Sequence, residues 1–168
     1  VQLQIRWPLL CDAPGGQPAA RAKKIAGRLV RALIALPVAI PGTTDVKEFQ
    51  SLPVRGLTGG QGVGLPSGEA VARRMGERPL SAEDVGASSA GWSGETPLWY
   101  YILREADVCH AGDRLGPVGS RIVGEVLIGL LDLDPSSVRH APRSWAPSAT
   151  LVDLLVGRDR DSRIDTRV

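Results

Sequence analysis

The chain has 168 residues, of which 43% are hydrophobic and 23% charged, with a formal net charge of +2 at pH 7. That length suits one domain with a real core. The near-neutral charge gives no bulk electrostatic case for nucleic acid or a membrane surface as partner. No apolar run is long enough to cross a bilayer, and Cys11 and Cys109 are too few for a disulfide framework or a zinc site, so both are expected as buried thiols. The sequence opens on Val1 without a signal-peptide pattern, so an upstream part is expected to have been removed or the start to lie elsewhere, with the cytoplasm as default location.

In chain order, residues 19–36 carry alanine, leucine and basic residues at helical spacing. Ala22, Ile25, Ala26, Leu29, Leu33 and Leu36 share one arc and Arg21, Lys24, Arg28 and Arg31 another, which predicts an amphipathic helix ended by Pro37. Its basic face suits phosphates or an acidic partner; without interleaved aromatics, an ordinary solvated face is preferred. Residues 37–66 are rich in proline and glycine without periodicity and read as a long irregular connection. Ser67 then caps a short helix through Met75, stopped by Gly76, and Ser81 with Asp84 starts a further turn. A loop, SSAGWSG, follows.

TPLWYYILREADVCHAG is the clearest helix, with Thr96 as cap, Pro97 in the first turn and Gly112 past the end. Leu98, Tyr101, Ile102, Glu105 and Cys109 fall on one face, so Glu105 is a carboxylate in apolar company. It reads either as an acid or base with a raised pKa or, preferably, as one half of an ion pair with an arginine. The next segment, GPVGSRIVGEVLIGLLDLDP, is apolar almost all round, which predicts a helix buried on every side. Gly119, Gly124 and Gly129 each cost about 1 kcal/mol of helix propensity and are expected where neighbouring helices approach closely. Enclosing this helix takes more partners than the chain supplies, which predicts exposed apolar surface and association. Beyond Pro135 the chain returns to loop, with Trp145 and Pro147, then a last apolar run at 151–156. Residues 157–168 alternate charges and are expected as a disordered tail after a helical domain spanning 1–156. The architecture is all-α with long loops.

LTGGQGVGLPSGEA, Leu57 to Ala70, holds five glycines ahead of a helix start. A phosphate loop would place a lysine and a hydroxyl residue after its last glycine, but Leu65 and Pro66 follow Gly64. The alternating Gly60, Gly62 and Gly64 also miss the dinucleotide fingerprint.

Together, LPVRGLTGGQGVGLPSGEAVAR, GETPLWYYILREAD and DRLGPVGSRIVGEVLIGLLDLDPSS resemble the C-terminal part of the animal-type haem peroxidases, particularly their bacterial members. The resemblance runs in order from Trp7 to Leu155, and APRSWAPSATLVDLL looks like the family's closing segment. It implies the C-terminal helical portion of the animal haem-peroxidase fold around haem b, and hydrogen-peroxide-dependent oxidation of organic or halide substrates. It also places Leu52 to Pro66 across the proximal side of the haem. There the family supplies an asparagine that hydrogen-bonds the proximal histidine and, three residues later, an arginine near a haem propionate. Anchored on GLP, these haem-proximal positions fall on Gly56 and Gly59, so both side chains are lost.

The family's proximal histidine, distal histidine and distal arginine lie ahead of every matched motif, so no catalytic residue is carried over. His110 falls near a helix end and His140 in a loop, neither at a ligand position of the family. Peroxide cleavage needs an axial ligand, a distal base and a cation. Arg55, Arg73, Arg74, Arg104 and Arg121 are present as cations, but the two histidine roles are unfilled, so the chain is expected to be a truncated, inactive relative by itself. Alternatives are one half of a split peroxidase completed by an N-terminal peroxidase portion, and a non-enzymatic helical interaction module using the basic face of residues 21–31. Neither a membrane nor nucleic acid is expected as partner.

Overall fold

A computed structural model describes residues 10–12, 16–36 and 50–155. Among these, seven helices account for the regular structure: α1 (Arg31–Ile34), α2 (Leu52–Gly62), α3 (Gly68–Met75), α4 (Ala82–Val85), α5 (Leu98–His110), α6 (Pro117–Leu133) and α7 (Leu151–Leu155). Short 3-10 turns occur at Ser88–Ala90 and Val138–His140, and an isolated antiparallel bridge joins Ser67 to Pro97. The described chain is all-α. The expected tail at 157–168 and the first part of the expected connection, 37–49, lie outside the described residues.

Local capping decides several boundaries. Ser67 Oγ accepts from Ala70 N at 3.1 Å to open α3, and Gly76, with φ of 77°, closes it. Ser81 Oγ accepts from Asp84 N at 3.1 Å to open α4. Thr96 does not cap α5. Pro97 holds the N-cap position, while Thr96 N and Oγ1 donate to the Glu69 carboxylate at 2.8 and 2.6 Å, tying the start of α5 to α3.

Two helix expectations are corrected. Over 19–36 only Arg31–Ile34 is helical. Residues before it are held by α5 and the turn after it instead: Ile25 N donates to Gly112 O at 2.9 Å, Lys24 pairs with Asp113 at 3.1 Å, and a Cβ at Gly27 would stand 2.9 Å from the Tyr100 ring. Those tertiary contacts override a weak local preference. Conversely, the glycine-rich stretch after Ser51 is not an irregular connection but forms α2, with Pro53 in its first turn and Gly64 (φ 67°) just past its end.

The described residues divide into two compact units, one of Lys24–Leu130 and one of the described parts of Val1–Lys23 and Leu131–Val168. In the first, Tyr101, Ala72, Val85 and Val118 form the fully buried core, bordered by Met75, Leu80 and Ile102. Tyr101 lies at its centre, and its hydroxyl accepts from Leu80 N at 3.0 Å. Gly68 is required there, because a Cβ would fall 1.9 Å from Tyr101 Cγ. In the second unit, Asp12 Oδ1 accepts from Ala19 N at 2.7 Å and Oδ2 pairs with Arg21, while Thr150 and Asp153 exchange hydrogen bonds across the start of α7.

Helix α6 departs most from expectation. Val118 and Gly119 are buried, but Val123, Val126, Leu127, Ile128, Leu130, Leu131 and Leu133 are all exposed. Gly119 does make a close approach, since a Cβ would stand 2.7 Å from Ile102 Cγ2; Gly124 and Gly129 face open space. The helix is apolar almost all round, yet among the described residues its buried positions are confined to the first turn.

Candidate functional site

The glycine-rich turn and the start of α5 border an open-mouthed cavity of about 370 Å³. Its walls come from residues 56–67 and 92–99, so the α2 terminus, the Leu65–Ser67 link and the Trp92–Trp99 approach to α5 are brought together. Two indoles face it: Trp92, 51% exposed, and Trp99, 37% exposed. Trp92 Nε1 donates to Glu95 O at 3.1 Å, and Trp99 lies against the Gly56 face of α2, where a Cβ would stand 3.3 Å from Cζ3.

Glu95 organises the polar side. Its carboxylate accepts from Ser67 Oγ and from Arg73, which reaches it from α3. The Ser67 hydrogen bond, followed by that from Arg73, holds the Glu95 carboxyl below its ordinary range. Among the described residues lining the cavity, Glu95 is the one ionisable side chain; the other polar contributors, such as Thr58 and Gln61, are neutral.

Of the two glycines matched to haem-proximal positions, Gly56 lines this cavity, where a Cβ would stand 3.3 Å from the Trp99 indole. Gly59 faces open space, with nothing within 4 Å of where a Cβ would stand. The remaining candidates lie elsewhere. His110 ends α5, and His140 Nε2 is 3.0 Å from Asp132 O in the second unit. Arg104 is spent on the end of α4, donating to Asp84 O at 2.6 Å and Val85 O at 3.1 Å, and pairs with Asp107. Arg121 donates to Met75 O at 3.3 Å and pairs with Glu125. Of the basic segment, Arg21 and Lys24 are paired with Asp12 and Asp113.

Glu105 is neither half of an arginine pair nor aimed at a cavity. Buried at 3% exposure, it accepts from Val118 N at 3.0 Å and Gly119 N at 3.1 Å, serving as the N-terminal cap of α6 from a different helix. Gly116 makes room for it, since a Cβ there would fall 2.3 Å from Glu105 Cγ. No local spacing signals such a cap, because donor and acceptor elements meet only in the fold. The cysteines also depart from expectation: Cys109 is an exposed thiol at the outer side of α5 and Cys11 is half-buried, both free.

Haem fits these residues poorly. An axial ligand has to be an imidazole, thiolate, thioether or phenolate, and propionates call for cations. The described lining supplies none of those ligands, and its one charge is a carboxylate that would repel a propionate. Among the described residues, no helix is long and apolar enough to cross a membrane. No family model matches the chain, and no curated protein or solved structure matches it either.

Proposed function

We propose that this chain is a relative of the animal-type haem peroxidases, corresponding to the C-terminal helical portion of their fold, that performs no peroxide chemistry by itself. The family side of the reading is supported by three ordered motifs, LPVRGLTGGQGVGLP, GETPLWYYILREAD and DRLGPVGSRIVGEVL, which form α2, α5 and α6. One observation carries the loss of activity. The segment matched to the haem's proximal side presents Gly56 and Gly59, and the cavity beside it offers two indoles and a carboxylate in place of an iron ligand and a cation.

Titrating the purified chain with haemin and recording the absorption spectrum tests this reading, with His110→Ala in parallel. A broad spectrum like that of free haemin is expected for both. A sharp, saturable Soret band lost in His110→Ala would make His110 an iron ligand and overturn it.

A second reading is favoured by α6. Its exposed run from Val123 to Leu133 is the kind of apolar surface that marks an interface, and an N-terminal peroxidase portion supplied by another polypeptide is the occupant this reading requires. Co-expression with such a portion would then yield a haem-loaded complex, and separate purification of two unassociated chains would count against it.

A further inference from the structure

We propose that the cavity between α2 and the start of α5 binds a small aromatic cation, an arylalkylammonium about the size of benzyltrimethylammonium. The inference goes beyond the peroxidase relationship and does not depend on it. Its volume, about 370 Å³, lies at the lower end of the range in which proteins hold small organic molecules.

Three features select the charge and shape of the ligand. First, Trp92 and Trp99 present two indoles on one cavity, and indole faces are the best side-chain partners for an organic cation. Each has a contact that limits its reorientation, Trp92 its bond to Glu95 O and Trp99 the Gly56 face, which lowers the ordering entropy lost on binding. Second, Glu95 contributes the one ionisable side chain among the described lining residues, and its carboxylate is oriented by Ser67 and Arg73. Arg73 pairs with this carboxylate at similar exposure, 55% against 49%, and offsets part of its charge, but Arg73 does not line the cavity, whereas Glu95 borders it directly. Third, the rest of the described wall is apolar or neutral, with Leu57, Leu65 and Leu98 suited to a hydrocarbon ring and no cation among them to receive an anion.

The test is a charge series on the unmodified chain, read by calorimetry and tryptophan fluorescence: benzyltrimethylammonium, benzyl alcohol and phenylacetate. The cation is expected to bind saturably at one site, and phenylacetate about tenfold or more weakly, from the cation–π and carboxylate contributions. Trp99→Leu is expected to weaken the cation about three- to tenfold while leaving far-UV circular dichroism unchanged. Glu95→Gln is expected to shrink the preference for the cation over benzyl alcohol. Phenylacetate binding as tightly as the cation, or no saturation by the cation, overturns the proposal without any variant. A sharp haemin Soret band beside saturable, charge-selective binding of the cation supports this proposal and contradicts the haem-free reading above. Failure of the charge series with a broad haemin spectrum refutes the cation site alone.

Discussion

Removing the Glu105 carboxylate should cost far more than its place on a helix surface suggests. The side chain is 3% exposed and is the partner of two N–H groups at the first turn of α6, at 3.0 and 3.1 Å. In Glu105→Ala both donors lose a charged acceptor and stay buried, at about 1–3 kcal/mol each, and the favourable interaction with the α6 dipole, about 0.3–1 kcal/mol, also goes. We therefore expect a loss of about 3–5 kcal/mol, and about 1–2 kcal/mol for Glu105→Gln, which keeps one acceptor oxygen. Urea unfolding followed by circular dichroism measures both. The geometry adds a reversal of sign. Gly116 precedes Pro117 and accepts the first bond of α6 from Ser120 N at 2.8 Å, so it occupies the N-cap position. In the native chain a Cβ there would clash with Glu105 Cγ at 2.3 Å, so Gly116→Ser should destabilise. With Glu105→Ala the clash disappears and the new hydroxyl can cap α6, so the same substitution should restore about 1 kcal/mol. A cost below about 1 kcal/mol for Glu105→Ala, or Gly116→Ser having the same sign in both backgrounds, would refute this account of the cap.

The glycines of α6 should respond oppositely to alanine. Gly124→Ala and Gly129→Ala enter open space and should each raise stability by about 1 kcal/mol, whereas Gly119→Ala meets Ile102 and should lower it by about 1–3 kcal/mol; thermal melts of the three variants check this. Burial pushes the Tyr101 phenol above its ordinary value of 10.0. The unfolded phenol therefore ionises first, so the contribution is complete below about pH 10 and is lost as pH rises through the folded value. Urea midpoints across that range should fall less steeply for Tyr101→Phe, which at neutral pH should cost about 1 kcal/mol for the orphaned Leu80 N–H. Glu95, held low by Ser67 and Arg73, should titrate below 4.5 by carboxylate NMR, so its contribution is present above that pH and lost as pH falls through the folded value. Ser67→Ala should move the Glu95 titration upward, and an unchanged midpoint would show that the Ser67 hydrogen bond does not hold it low.

Signals confined to a few neighbouring residues were legible without the fold. Ser67 and Gly76 bound α3, Ser81 opens α4, and the apolar spacing of 98–110 and 117–133 gives α5 and α6, because each depends on a backbone group and a side chain three or four residues away. The cavity was legible in part: GLTGGQGVGLP stood out as a segment requiring explanation, but nothing in it announced that Trp92, Glu95 and Trp99 would form the opposite wall. The helical periodicity of 19–36 was misleading because pattern alone carries little free energy once Ile25 and Gly27 have α5 to pack on.

What the sequence determined by itself is therefore the all-helical class and the capped elements, whose causes act within one turn. Tertiary structure decided which apolar faces are covered, because burial belongs to a pair of surfaces and not to either one. It leaves Val123 to Leu133 of α6 exposed, folds the glycine-rich stretch into α2 against Trp99, and turns Glu105 from an apparent acid or ion-pair partner into the cap of the next helix, whose Val118 N–H lies 13 residues further along the chain.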